Sequence, residues 1–167
     1  MTNLTQNVTQ LTDLNRLKQL VHGILGEVCW RINLSYGDEL NLHIGAKIPY
    51  VRKAMIGQEK GSWILGSRET PWNLSFQSDT VVTSNTPSEV LREKVRVIEN
   101  TTVIGFEVAY PSLALAITFS NDHQLVVSPN LEDCDLPYWE LFTPDHMLLK
   151  VGPGAIWSCV RSDVAEN

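Results

Sequence analysis

From Leu14 onward, apolar residues fall at Leu14, Leu17, Val21, Ile24 and Leu25, with Arg16, Lys18 and Gln19 between them. Steps of three and four put one side chain per turn on a common face, so the pattern predicts an amphipathic helix over residues 12–28. Thr12 or Asp13 supplies its start, and Gly23 or Gly26 its stop. A second helix is predicted over 87–99 through Val90, Leu91, Lys94, Val95 and Ile98. Thr86-Pro87-Ser88-Glu89 opens it, with Thr at the cap, Pro at the first helical position and Glu closing a capping box; Asn100 stops it.

After each helix the period falls to two. Trp30, Ile32 and Leu34, then Leu40, Leu42 and Ile44, alternate with other residues on either side of Tyr36-Gly37-Asp38-Glu39, the pattern of a β-hairpin with one buried face. Trp63 with Leu65, and Trp72 with Leu74, predict two more short strands separated by a turn at 66–71. Residues 46–60 have no clear period and read as a loop or short helix, and 77–85 as a polar connector. Beyond the second helix, strands are predicted over Val103–Tyr110, Leu113–Phe119 and Gln124–Ser128, followed by Trp139-Glu140-Leu141 and Trp157.

The two halves follow one order: helix, hairpin, loop, Trp-x-Leu strand, final Trp strand. The step from Leu34 to Leu40 equals that from Phe119 to Leu125. The predicted fold is therefore α+β, two diverged helix-plus-antiparallel-sheet repeats packed as one domain with pseudo-twofold symmetry. The first repeat spans 11–76 and the second 87–161, joined by a connector at 77–86. Residues 1–10 are expected to be a disordered N-terminus and 162–167 a C-terminal tail. In this alignment the hairpins Trp30–Ile44 and Leu113–Ser128 are equivalent, and Trp63 matches Trp139.

Composition narrows the function classes. The 167 residues include 43% apolar and 19% charged side chains, which fits a packed core and excludes a disordered chain. A formal charge of −6 argues against general nucleic-acid binding, which needs clustered Lys and Arg. The charge is uneven: residues 1–85 carry eight basic and seven acidic groups, hence +1, whereas 86–167 carry five and twelve, hence −7. That acidic half is a candidate surface for a basic protein partner. Residues 1–10 lack the basic start and apolar run of a secretory signal, and no apolar stretch is long enough to span a membrane, so a cytoplasmic protein is expected. A homodimer is compatible with the chain.

Catalytic chemistry finds little support. Cys29, Cys134 and Cys159 form neither a disulfide framework nor a CxxC site, and His22, His43, His123 and His146 show no metal-binding spacing. Glu132-Asp133-Cys134-Asp135 lacks the ligand spacing of a calcium loop. An active site would need distant groups to meet, for example His43 or His123 with Asp38 or Asp122. No enzyme, metal or cofactor is expected. The best ligand candidate is the basic loop, where Lys47, Arg52, Lys53 and Arg68 could hold a nucleotide-like anion against Trp72 in a pocket between the repeats. Lys60, Tyr50 and Trp63 are their neighbours in sequence.

The segment from Leu115 to Val127, with Asn-Asp at its turn, followed by Trp139-x-Leu141-x-x-Pro144-Asp145 and a strand region ending in Gly152 and Trp157, resembles small bacterial proteins regarded as candidate immunity proteins of toxin systems. The resemblance rests on structural motifs over about the last 70 residues. It implies a non-enzymatic protein-interaction module.

Overall fold

The computed structural model describes residues 3–35, 39–68, 70–129 and 135–163. The first apolar stripe forms helix α1 (Asn15–Val21), entered through a 3-10 turn at Leu11–Leu14 and left through another at His22–Ile24. Leu14, Leu17, Val21 and Ile24 are all buried. Gly26, at φ 89°, ends this run in a backbone conformation that side chains disfavour. Helix α2 (Ser88–Lys94) continues as a 3-10 turn at Val95–Ile98, burying Leu91, Val95 and Ile98, and Asn100 ends it at φ 64°. The expected Thr86 cap is not made. The helix is entered from Pro87, and the Thr86 hydroxyl accepts a hydrogen bond from the Thr83 N–H instead.

The described residues form twelve strands, most of them at the period-two segments: β1 (Leu4–Asn7), β2 (Val28–Ser35), β3 (Glu39–Pro49), β4 (Glu59–Gly66), β5 (Trp72–Phe76), β6 (Asp79–Thr83), β7 (Thr101–Val108), β8 (Leu115–Phe119), β9 (His123–Val127), β10 (Trp139–Phe142), β11 (Met147–Val151) and β12 (Ile156–Arg161). They form a mostly antiparallel sheet in the order β1-β12-β11-β10-β4-β3-β2-β7-β8-β9-β5-β6, so the fold is mixed α+β. No helix among the described residues is long and apolar enough to cross a membrane.

Sheet order separates sequence neighbours. β4 and β5 are consecutive, yet β5 pairs with β9 and β10 pairs with β4. At the middle, β2 and β7 pair only through Val28 opposite Thr102 and Cys29 opposite Thr101. Main-chain bonds frame this contact on both sides: Gly26 N–H donates to the Val103 carbonyl at 2.8 Å and Asn100 N–H to the Cys29 carbonyl at 2.6 Å. Both strands then bulge, between Cys29 and Arg31 and between Val103 and Gly105, and diverge. Apolar side chains from both sides of this junction belong to one core. The Trp139 indole on β10 donates to the Leu113 carbonyl at 3.2 Å and meets Phe106 of β7 edge-on, and the Trp157 indole donates to the Asp13 carbonyl at 3.0 Å.

Four expectations change. Residues 4–7 are not frayed: they form β1 against β12, with Val8 buried beside them. The polar connector contains β6, an edge strand whose Val82 is buried and Val81 and Thr83 half-buried, while Asp79 and Thr80 are exposed. Such a strand has little apolar alternation to betray it. Of 46–60, residues 46–49 and 59–60 extend the strands of the β3–β4 hairpin, while 50–58 form the expected loop with a short 3-10 turn at Lys53–Met55. Finally, β4 and β10 are hydrogen-bonded neighbours, so Trp63 and Trp139 stand on adjacent strands. The hairpin β2–β3 also starts at the central junction whereas β8–β9 lies one strand further out, so the two hairpins do not correspond.

Burial predicts unequal costs for two truncations. Phe119 is fully buried, whereas Leu34 is half-buried at the core's margin. Phe119→Ala is expected to lower unfolding free energy by about 4 kcal/mol and Leu34→Ala by about 1–2 kcal/mol, measured by urea denaturation. Equal losses would contradict this packing.

Candidate functional site

The anion site expected from sequence is not assembled. Arg52 and Lys53 lie exposed at the distal end of the β3–β4 hairpin, while Arg68 lies past the opposite end of β4. At ~3.3 Å per residue, the length of β4 alone separates these ends by roughly 23 Å. Arg68 adopts φ 53° and places Nη1 3.2 Å from Glu140 and 3.7 Å from Glu39, so its charge is already neutralised. Trp72 is a core residue of β5, across the β2–β7 junction. Lys47 sits with Nζ 5.0 Å from the centre of the Trp30 ring. Of the five expected residues, only Arg52 joins the concavity that does exist.

That concavity is a groove of about 550 Å³ between the β3–β4 hairpin and the β10–β11 turn. Ile48, Met55, Ile64, Phe142 and Pro144 supply apolar surface, and Arg52, Lys60 and His146 supply the basic groups. Among the described residues, no Asp or Glu lines it. Lys60 Nζ lies 5.6 Å from the centre of the Tyr50 ring, which also faces the groove. Val51, 94% exposed at the hairpin tip, also lines it, and Ile56, 72% exposed, carries apolar surface beyond it.

Local geometry explains the hairpin's course. Gly45, at φ 88°, interrupts β3, and the register with β4 shifts between Ile44 and Lys47. Gly61 packs so closely that a Cβ there would fall 2.5 Å from Ile44 N and 2.7 Å from Trp63 O. Under the hairpin, the β2 bulge brings Trp30 to the face shared with His43, their ring centres 5.6 Å apart. Gly61 N–H donates to His43 Nδ1 at 3.0 Å, so the neutral ring carries its proton on Nε2. Arg31 reaches across to the Glu59 carbonyl at 3.2 Å. Burial, reinforced by the Arg31 charge, lowers the His43 pKa from 6.5 to about 4.

The pairings considered for catalysis have other partners. His43 is engaged as above, and Asp38 lies outside the described residues. His123 stacks on Phe76 at 4.9 Å, with Nδ1 3.1 Å from the Asn121 carbonyl. Burial, with the Glu99 charge adding to it, pushes the Cys29 thiol up to about 12, where it is inert as a nucleophile. Glu132, Asp133 and Cys134 also lie outside the described residues.

Sequence reasoning missed Ile64, Phe142, Pro144 and His146. One signal was present: alternation through Trp139-Glu140-Leu141-Phe142 puts Phe142 on the face opposite buried Leu141. No family model matches the chain, and no curated protein or solved structure matches it.

Two predictions follow from the hairpin's base. Gly61→Ala is expected to cost about 1–3 kcal/mol in urea denaturation, because backbone must move to admit the methyl group. For His43, the native state resists the proton that the unfolded chain accepts near its ordinary pKa of 6.5. Its contribution is fully present above pH 6.5 and is lost as pH falls towards about 4. In His43→Asn, whose side-chain oxygen can replace Nδ1 as acceptor, the urea midpoint should vary less with pH between 6.5 and about 5 than in the wild type. Parallel profiles would overturn the neutral, buried assignment.

Proposed function

We propose that this chain is a non-enzymatic protein-interaction module that engages its partner through the groove between the β3–β4 hairpin and the β10–β11 turn. The observation that carries this reading is the apolar surface running from Phe142 to the hairpin tip at Val51 and Ile56, bordered by Arg52, Lys53 and Lys60. Clustered exposed apolar side chains with a charged rim mark interaction surfaces more than solvated loops do. The carboxylates of 86–167 support the groove over the acidic half as the binding surface. Among the described residues they are spread over α2 and the turn after it, β7, the β8–β9 turn, the segment before β10, β10 itself, the β10–β11 turn at Asp145 and the end of β12, and Glu140 and Asp163 are already paired with arginines. An immunity-type role, in which a toxin's surface is occluded, is one form such binding takes.

The proposal includes an internal repeat, in a register different from the one first expected. Leu17, Val21 and Ile24 are buried in the first helical run, and Leu91, Val95 and Ile98 in the second, each 74 positions later (17 to 91, 21 to 95, 24 to 98). The same offset relates Gly26 to Asn100, both at positive φ, and the bulge at 29–31 to that at 103–105. Outward from the junction, β3, β4, β10, β11 on one side answer β8, β9, β5, β6 on the other. The strand order, rather than that offset, matches Trp72-Asn73-Leu74 of β5 with Trp139-Glu140-Leu141 of β10, 67 positions later (72 to 139), and it makes the groove a product of both repeats.

A small anionic ligand is the second reading, favoured by a groove volume in the range of ligand sites and by Arg52 and Lys60 beside Tyr50. Affinity capture from the native host with wild type and with a Lys60→Glu/Phe142→Asp variant tests the first reading, and thermal shift against nucleotides and sugar phosphates tests the second. A specific protein retained by wild type and lost by the variant is the expected result. Equal capture by both proteins, or a thermal response only to small anions, overturns the protein-binding assignment.

A further inference from the structure

Among the described residues, β4 is only partly covered on its outer side. β10 pairs with it at Ile64, Leu65 and Gly66, while β4 itself continues to Glu59. Past Phe142 the chain leaves the line of β10: Thr143 N–H donates to the Met147 carbonyl at 2.9 Å and His146 N–H to the Thr143 carbonyl at 3.2 Å, closing the turn into β11. Gly61 N–H points towards β3, where it meets His43 Nδ1. Successive residues of a strand present their main-chain groups to opposite edges, so Lys60 and Ser62 direct N–H and C=O to the edge that β10 leaves uncovered. Lys60 and Ser62 both line the groove. The Lys60 ammonium, which on an edge strand ordinarily discourages pairing, is drawn over the Tyr50 ring.

We infer that the groove takes an extended acidic segment of a partner protein, which adds as a strand along Lys60–Ser62 in the line that β10 abandons. The inference rests on the protein-binding reading above and deepens it. Two features select the guest. An uncovered strand edge supplies sequence-independent main-chain hydrogen bonds, the mode by which extended peptides join a sheet. The side chains of the guest alternate, so every second one meets the face bearing Ile64 and Phe142 and the basic groups Arg52, Lys60 and His146. With Arg52 and Lys60 in the groove and no carboxylate among the described residues lining it, in a chain of net charge −6, the charge of this site complements a guest carrying Asp or Glu among small apolar residues.

The probe is a fluorescein-labelled, end-blocked hexapeptide of alternating Val and Asp, measured by anisotropy on the full chain, with amide shifts recorded by NMR. Three comparison peptides replace Asp by Lys, or N-methylate one or the other alternate set of amides. The Asp peptide should bind at least tenfold more tightly than the Lys peptide and shift the amides of Lys60 and Ser62. One N-methylated form should lose at least tenfold in affinity and the other much less, because only one set of amides faces β4. Arg52→Glu/Lys60→Glu should weaken the Asp peptide at least tenfold while retaining the wild-type circular dichroism spectrum. Equal binding of the parent and both N-methylated peptides overturns strand addition while leaving the groove as a protein-binding site. Absence of any groove shift with every peptide, together with shifts on adding nucleotides, overturns both.

Discussion

Main-chain pairing between distant segments dominates this molecule. Because β10 bonds to β4 and β5 bonds to β9, the N-terminal and C-terminal halves each complete a sheet begun by the other. The short β2–β7 contact sets the two sheet regions side by side. Neither half could bury its apolar face alone: Trp139 needs Leu113 and Phe106, and Trp157 needs the carbonyl of Asp13. Indole N–H groups in a core are costly unless bonded, so these contacts fix alignment as well as contributing area.

This interleaving also decides what was legible in the sequence. Local periodicity reports local conformation, and both helical runs and most strands lie where the pattern of Leu17–Ile24, Trp30–Leu34 or Leu115–Phe119 indicated. Partner choice is not local. Trp63-Ile64-Leu65 and Trp139-Glu140-Leu141 look alike because both are strands with a large inward residue, and that likeness misled the first alignment of the halves. β1 and β6 escaped notice for a different reason: edge strands with few buried side chains need no strong alternation.

The groove was hidden for a third reason. Sequence distance grouped Lys47, Arg52, Lys53, Arg68 and Trp72, but a β-hairpin sends chain neighbours to opposite ends of its strands. What meets the hairpin's distal part is Phe142–His146, some 80 residues further along the chain (62 to 142).

One packing constraint links the buried and the open sides of β4. Gly61 lies so close to Ile44 and Trp63 that only hydrogen fits, and its N–H is turned inward to His43. That orientation seats the neutral imidazole beside Trp30. By strand alternation it also fixes Lys60 and Ser62 with their main-chain groups on the side that β10 leaves. The buried histidine and the exposed strand edge are therefore two consequences of a single backbone orientation.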